Sequence, residues 1–520
     1  MLDAQSSRLA HAWQNLQLLI LSLLVLPAST ALVSASLLIR PFLSGTPDKH
    51  RRHVRSTNTP YLQPRTILVT GVGMTKGLAL ARLFYAAGHN VIGADFEPSF
   101  LPTTCGRLSR SLKAFHKLHK PDGSIEGSAR YAESLLNIIR KEKVDLWVSC
   151  SGVASAVEDG RAKEMIEAIT PCKAIQYDVA MTNILHEKHT FIDFTRSIRL
   201  PVPETHNITS HAAASQILSK ARSTGIKFIM KYTGTDDAFR ANMTLLPLST
   251  PAATEAYISR FPISPTRPWI LQQFITGPEF CTHALIINNA VTCFVACPSS
   301  ELLMHYTALP QSSALSRAML SFTRHFVENC PDNFTGHLSF DFLIDQAQAD
   351  SAARGTIDAE DVRLYPIECN PRAHTAVVLF ADTPEMVSEG YMRIFDAPKE
   401  AVQSGKGQER KVNGTKVHEP VYPRKPGKYY WLPHDLVTLV LLPVLGLVSR
   451  DGTSVAKVTE EWRTFVEHVW GWKDGTFEIW DPLPAWWLWN ISWPYVFLKS
   501  LVYGEKWSRV NVSTMKVFGC

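Results

Sequence analysis

The sequence predicts an α/β lobe followed by an α+β region, with apolar, membrane-seeking segments at both ends. Three observations carry this reading. A strand, a glycine turn, a helix and a second strand follow one another between Arg65 and Asp95. The stretch Tyr365 to Thr375 (YPIECNPRAHT) sets polar side chains at alternate positions. Uncharged residues run from Leu16 to Ile39, and ten of the thirteen tryptophans crowd between Trp431 and Trp507.

The 520 residues are enough for about three domains and a large core. A formal charge of +6, spread along the chain, requires no nucleic-acid partner. Histidine and cysteine spacings lack C-x-x-C and H-x-x-x-H pairs, so no zinc site is expected. Nine scattered cysteines, an odd number, read as reduced thiols rather than a disulfide framework. Sequons such as those at Asn242 and Asn333 matter only in a secretory lumen, where this chain is not expected.

Residues 1–60 read as a membrane anchor and basic linker. The run from Leu16 to Ile39 is long enough to cross a hydrocarbon core of about 30 Å, with Pro27 allowing a kink or a shallow hairpin. Arg40, Lys49, Arg51, Arg52 and Arg55 follow it, against Arg8 before it, which places the downstream lobes in the cytosol. Thr46 to Gln63 reads as linker.

Residues 61–180 read as a Rossmann-like lobe. RTILVTG (Arg65 to Gly71) is a buried strand ending in a glycine turn, the following residues have helical apolar spacing, and NVIGAD (Asn90 to Asp95) is the next strand, an order that implies a parallel sheet. Gly71, Gly73 and Gly77 with Asp95 form a variant of the dinucleotide fingerprint, so NAD(P) binding is a competing reading. The glycine spacing departs from G-x-G-x-x-G, and nothing later resembles a hydride-transfer site. VDLWVSCSGVAS (Val144 to Ser155) adds a strand and a small-residue loop.

Residues 181–398 carry the chemistry. In an extended strand, Glu368, Asn370, Arg372 and His374 share one face. Acid and amide oxygens two residues apart suit Mg²⁺, with Mn²⁺ as a substitute and phosphate oxygens completing the coordination. Arg372 offers a fork for phosphate or carboxylate. Cys369 alternates away into packing. The plain alternative is a strand end with solvated polar residues.

The ordered set of motifs resembles the ATP-grasp superfamily. HEKHTF (His186 to Phe191), FIMKYTG (Phe228 to Gly234), PWILQQFITGPEF (Pro268 to Phe280), GHLSFDFLID (Gly336 to Asp345) and IECNPR (Ile367 to Arg372) follow the superfamily's order. The resemblance implies a two-lobed ATP-grasp fold preceded by a Rossmann-like pre-ATP-grasp domain. It implies ATP held by Lys188 and Lys231, by the hinge Gln272, Gln273, Phe274 and Ile275, and by Glu279 on the ribose. Asp341, Glu368 and Asn370 would hold one or two Mg²⁺ ions. Arg372 would stabilise the transferring phosphoryl group. The loop YTGTDDAFR after Lys231 departs from the usual glycine- and serine-rich pattern; Asp236 and Asp237 would repel phosphate, and Arg240 is the candidate to supply positive charge. His374 is a candidate substrate contact, against a structural role.

Residues 399–428 read as a basic linker, and 429–520 as a tryptophan-rich, membrane-associated region, against a buried helical layer. Leu436 to Ser449 is short for a span and reads as re-entrant or interfacial.

A narrower resemblance covers nearly the whole chain. The apolar start ending in RPFL, ILVTGVGMTKGLALARLFYAAGHNVI, ISPTRPWILQQFITGPEFCTH, IECNPRAHTA and the DPLP-containing tail are similar to the mycosporine-glycine synthases. That implies ATP-dependent phosphorylation of the cyclohexenone 4-deoxygadusol and displacement of phosphate by the amine of glycine or a similar amino acid, with release of ADP and phosphate. Two alternatives remain: a carboxylate–amine ligase making a dipeptide-type product, and a nucleotide-binding membrane scaffold without turnover.

Overall fold

The computed structural model describes residues 5–43, 45–56, 63–98, 101–150, 152, 155–232, 244–299, 304–396, 419–449 and 452–520. Gly234, Asp236, Asp237 and Arg240 lie outside the described residues, as does most of the linker expected at 399–428.

The chain starts with one continuous helix, α1 (Arg8–Ile39), capped by Ser7, whose side chain accepts the Ala10 N–H, and running straight through Pro27 without a hairpin. Its faces are inverted relative to a soluble helix. His11, Asn15, Ser29, Val33 and Ser36 are buried against the protein, whereas Leu23 and Leu24 are 69% and 72% exposed. The expected linker is partly a second helix, α2 (Pro47–Ser56). Pro47 and Asp48 suit its first turn, where proline loses no hydrogen bond and an acid meets the helix dipole. Arg51 stacks on Tyr85 at 4.4 Å and donates to its carbonyl oxygen at 3.0 Å, docking α2 on the first lobe.

That lobe is a five-stranded parallel sheet in the order β3–β2–β1–β4–β5, with β1 at Thr66–Thr70, β2 at Asn90–Phe96, β3 at Leu112–Leu118, β4 at Leu146–Val148 and β5 at Lys173–Ile175. Helices α3 (Thr75–Ala86), α4 (Ile125–Glu142) and α5 (Ala156–Ile169) connect the strands, giving the predicted α/β lobe. Gly71 adopts φ +73°, and a Cβ there would meet the Cys150 carbonyl oxygen at 2.7 Å, so only glycine turns this corner.

Two short helices, α6 (Val179–His186) and α7 (Lys188–Ser197), lead to two further sheets. The smaller has the order β6–β8–β7, all antiparallel: β6 (Thr205–Ile208), β7 (Phe228–Tyr232) and β8 (Trp269–Gln273), covered by α8 (His211–Thr224). The larger has the order β10–β9–β11–β12, also antiparallel: β9 (Glu279–Ile287), β10 (Ala290–Pro298), β11 (Gly336–Leu343) and β12 (Tyr365–Asn370). The region after the parallel lobe thus holds two antiparallel sheets with helices, an α+β arrangement.

The carboxy-terminal region is less a separate tail than a third layer. Its strand β13 (Tyr429–Tyr430) pairs with β14 (Lys473–Asp474), and β15 (Trp507–Asn511) and β16 (Lys516–Gly519) form a hairpin. One buried cluster runs from Ile67, Leu80 and Phe84 through Cys281, Val295 and Phe380 to Trp431, Trp493 and Trp507. Asp481, fully buried, accepts Arg82 Nε at 2.9 Å and Ser109 Oγ at 2.6 Å, tying the layer to α3. Trp507 Nε1 donates to Asn15 Oδ1 of α1 at 3.0 Å, and Trp486 Nε1 to Thr30 Oγ1 at 3.0 Å. The tryptophans therefore divide. Those facing the lobes are core, while Trp470 is 86% exposed. Two helical stretches, Arg8–Arg52 and Leu432–Ser449, are long and apolar enough to cross a membrane by length and composition.

Candidate active site

The site forms where β11 and β12 run side by side. Asp341 and Glu368 are direct cross-strand partners, and Ser339 faces Asn370, with an irregularity in register immediately after Asp341. Directly opposed like charges destabilise a sheet, and bulges cluster beside functional sites. Asp341 is only 9% exposed. Burial, then the charges of Glu368 and Glu279, push its carboxyl well above the usual range. Its Oδ2 accepts the Asn370 amide at 3.1 Å, while its buried Oδ1 has no hydrogen-bond partner among the described residues.

Lys188, the first residue of α7, reaches Glu368 at 2.9 Å, so a lysine read from a polar helix lies against β12. Lys231 on β7 donates to the Gln272 side chain on β8. Burial and the neighbouring Lys188 lower its ammonium to about 7, against the opposing pull of Glu368 and Glu279. Glu279, at the start of β9, accepts Ser299 Oγ at 2.9 Å. Gln272 and Gln273 point to opposite faces, as a strand requires. Gln272 joins the charged cluster; Gln273 Oε1 instead accepts the Glu204 N–H at 3.1 Å, just before β6. Phe274 hydrogen-bonds through its backbone to the Lys227 carbonyl at 2.7 Å, and Ile275 is buried, so the hinge segment is held by main chain.

Arg372 donates to Asn370 Oδ1, bringing guanidinium, amide and carboxylate into one line from Arg372 through Asn370 to Asp341. In this arrangement the Asn370 amide offers nitrogen to Asp341. Rotating the amide by half a turn would present oxygen to a cation between them, and the two orientations have nearly the same shape. The donor set of carboxylates, amide oxygen and one unfilled carboxylate oxygen fits a hard divalent ion. His374 has a different task. Its Nδ1 accepts the Ala376 N–H at 3.3 Å and caps the turn Thr375–Phe380, and burial together with His283 lowers the ring to about 3, so it is neutral. Cys281, Asp341 and His374 place ligand-type atoms within 4.8 Å of one another, adding softer donors beside the carboxylates. Cys369 is buried in the larger lobe's core, on the side away from the cluster.

Sequence reasoning missed Lys76. It lies in the first turn of α3, is 3% exposed, and is lowered to about 7 by burial and then by the charge of Arg372. The available signal was a lysine inside the glycine-rich strand-to-helix turn, GMTKG. The same turn argues against a dinucleotide. The Gly73 N–H donates to Asp95 Oδ2 at 2.7 Å, and the Thr75 N–H to the Ser513 carbonyl at 2.8 Å, so groups that a pyrophosphate would take are already bonded. Trp431 Nε1 donates to Thr75 Oγ1 at 3.0 Å, and Thr375 and Ser513 hydroxyls meet at 3.3 Å. The carboxy-terminal layer thus clamps the glycine turn to the segment that follows β12.

No family model matches the chain, and no curated protein matches it in sequence. Among solved structures it is similar to N5-carboxyaminoimidazole synthetase from Staphylococcus aureus in complex with ADP, at 14% identity and a TM-score of 0.42, over 61% of this chain and 72% of that one. It is also similar to L-amino acid ligase from Bacillus licheniformis, at 13% identity and a TM-score of 0.38, over 60% and 68%. The biotin carboxylase domain of Hydrogenobacter thermophilus 2-oxoglutarate carboxylase, solved with MgADP, ADP and bicarbonate, aligns at 13% identity and a TM-score of 0.43, over 64% and 70%. What the site of this chain does must come from its own residues.

Proposed function

We propose that the chain is an ATP-dependent, C–N bond-forming ligase of the ATP-grasp kind. The observation that supports it most is the opposed pair Asp341 and Glu368, ringed by Lys188, Lys231 and Arg372. Two acids that repel each other in a half-dry site need cations, and the surrounding lysines and arginine need anions. A nucleoside triphosphate with its divalent ion supplies both.

In this reading Lys231 and Lys188 hold the phosphates, Gln272 faces the purine side, the main chain of Phe274 and Ile275 lines the adenine, and Glu279 takes the ribose. Gln273, bonded to the Glu204 N–H, is left out. Bound by Asp341, Glu368 and Asn370, Mg²⁺ would neutralise charge on the transferring phosphoryl group. The acceptor is an acid or a vinylogous acid. Its oxygen attacks the γ-phosphorus in line, ADP leaves, and Arg372 stabilises the negative charge on the phosphoryl oxygens. An amine then attacks the activated carbon, the C–O bond to phosphate breaks, and the amine nitrogen loses its proton. A dipeptide-type carboxylate–amine ligase and a cyclohexenone ligase share every one of these residues. The sequence resemblance favours 4-deoxygadusol with glycine or a similar amino acid within that class.

The inverted α1 and the exposed leucines support attachment to a membrane, with the catalytic lobes on the cytosolic side by the arginine and lysine bias after Ile39.

The deciding experiment incubates the detergent-extracted protein with Mg-ATP, a pool of amino acids, and either 4-deoxygadusol or a panel of carboxylates. A glycine adduct of 4-deoxygadusol with ADP release supports the narrow reading. A carboxylate amide with ADP keeps the ligase and discards the cyclohexenone. No turnover with any acceptor leaves the non-catalytic scaffold.

A further inference from the structure

At the junction between the larger lobe and the carboxy-terminal layer, far along the sequence from the nucleotide cluster, three side chains converge. His305 follows β10 and is fixed by the neighbouring Tyr306, whose N–H and carbonyl both pair with Tyr429 at 2.9 Å. Asp435 lies in the first turn of the apolar helical stretch Leu432–Ser449. His468 lies in the last turn of the helix Val455–Gly471. Asp435 Oδ1 lies 3.0 Å from His305 Nε2, and Asp435 Oδ2 lies 2.6 Å from His468 Nδ1. The ligand-type atoms of all three residues fall within 4.8 Å of one another.

We infer that His305, Asp435 and His468 form a binding site for a divalent transition-metal ion of the zinc class. This site is independent of the nucleotide reading and reverses the expectation, drawn from short spacings alone, that the chain has no zinc site. The Asp435 side chain is fully buried, so its charge needs close compensation. Two imidazole nitrogens and one carboxylate oxygen suit zinc and its neighbours better than magnesium, and leave a fourth position for water. Two imidazoles donating protons to the carboxylate would account for the separate contacts. A single ion accounts in addition for the gathering of two imidazoles and a buried carboxylate, with ligand-type atoms within 4.8 Å of one another. The surroundings hold the rings in place. Trp472 stands 4.5 Å from the His468 ring and edge-on to His305 at 5.7 Å, and Tyr430 lies 5.8 Å from His468. The His305 side chain retains 30% exposure, which gives an ion a way in. One ion would cross-link the segment after β10 to the base of the apolar stretch and to the amphipathic helix that follows it.

The test is metal analysis of the full-length, detergent-extracted protein, stripped with chelator and returned to trace Zn²⁺ in excess Mg²⁺. The wild type should retain about one zinc per chain. His305→Gln and His468→Gln, which keep a polar group beside Asp435, should each weaken retention by at least about tenfold, the loss expected for removing a ligand or its support. Asp341→Asn should retain the ion. Absence of zinc from the reconstituted wild type would overturn the proposal, as would equal zinc in the histidine variants or loss confined to Asp341→Asn. Should the variants misfold, Co²⁺ loaded into the wild type decides. Visible ligand-field bands without a thiolate charge-transfer band support the nitrogen–oxygen set; a thiolate band moves the ion to Cys281, and no bands at all overturn the site.

Discussion

Asp341 on β11 and Glu368 on β12 stand directly opposite each other in an antiparallel ladder, with Lys188 at 2.9 Å from Glu368 as the nearest counter-charge. Such a pair is a liability to the empty fold and an asset once a divalent ion arrives. Glu368→Ala should therefore abolish turnover while leaving the thermal midpoint unchanged or slightly raised, because relief of like-charge repulsion is worth about 0.2–1 kcal/mol. Parallel measurement of ADP release and of thermal unfolding checks both halves. Normal turnover would remove Glu368 from the metal set.

Lys231 sets a pH dependence for nucleotide binding. Its ammonium is lowered to about 7 by burial and by Lys188, and an arriving triphosphate favours the charged form. Below pH 7 the lysine is protonated in both free and bound states, and affinity is flat. Above pH 7 the free protein must take up a proton on binding, so affinity should fall by up to about tenfold per pH unit. Calorimetry of ATP binding in buffers of different ionisation enthalpy should report proton uptake at pH 8, absent in Lys231→Met.

The Arg82–Asp481 pair should be a stability hot spot. Asp481 receives Arg82, the Ser109 hydroxyl and the Arg110 N–H at 2.9 Å, all in a buried setting. Asp481→Ala removes the carboxylate paired with a buried guanidinium, leaving it the backbone carbonyls of Thr476 and residue 481, and should cost about 3 kcal/mol, read by chemical denaturation. The double variant Arg82→Met with Asp481→Leu should be much less destabilised than the single one. Equal losses would mean that packing, not charge, holds this junction.

The exposed leucines of α1 should govern membrane attachment. Leu23→Asp with Leu24→Asp places charges on the outward face, away from the buried Asn15, Ser29 and Ser36. The variant should lose co-flotation with liposomes and keep its unfolding free energy within about 0.5 kcal/mol per substitution, as substitutions away from buried contacts usually do. Retained flotation would assign attachment to the Leu432–Ser449 stretch instead.

Much of this architecture was legible in the sequence for local reasons. The glycine turn at Gly71 and the strand run Thr66–Thr70 are written in adjacent residues, and the alternation Glu368, Asn370, Arg372 fixes a shared face wherever the strand lies. The pairing of Glu368 with Asp341 and with Lys188 was within reach because ordered motifs bring those strands together. Gln272 and Gln273 are adjacent strand residues, so alternation turns only Gln272 toward Lys231. The His305–Asp435–His468 group and the docking of Trp431 on Thr75 were invisible for a different reason. Each joins residues separated by long stretches of chain, and no short-range pattern marks them.

The polar stripe on α1 also dictates an order of assembly. The Asn15 side chain accepts its hydrogen bond from Trp507, 492 positions later. At ribosomal speeds of ~5–20 residues per second, about 25–100 s pass between the emergence of the first partner and the second. Throughout that interval the amino-terminal helix has leucine on one side and, on the other, an Asn15 oxygen awaiting its Trp507 donor, the amide nitrogen being bonded to the His11 carbonyl within the helix. A lipid bilayer or a chaperone must shelter it until Trp507 arrives, so docking of the first helix waits on residues nearly five hundred positions downstream.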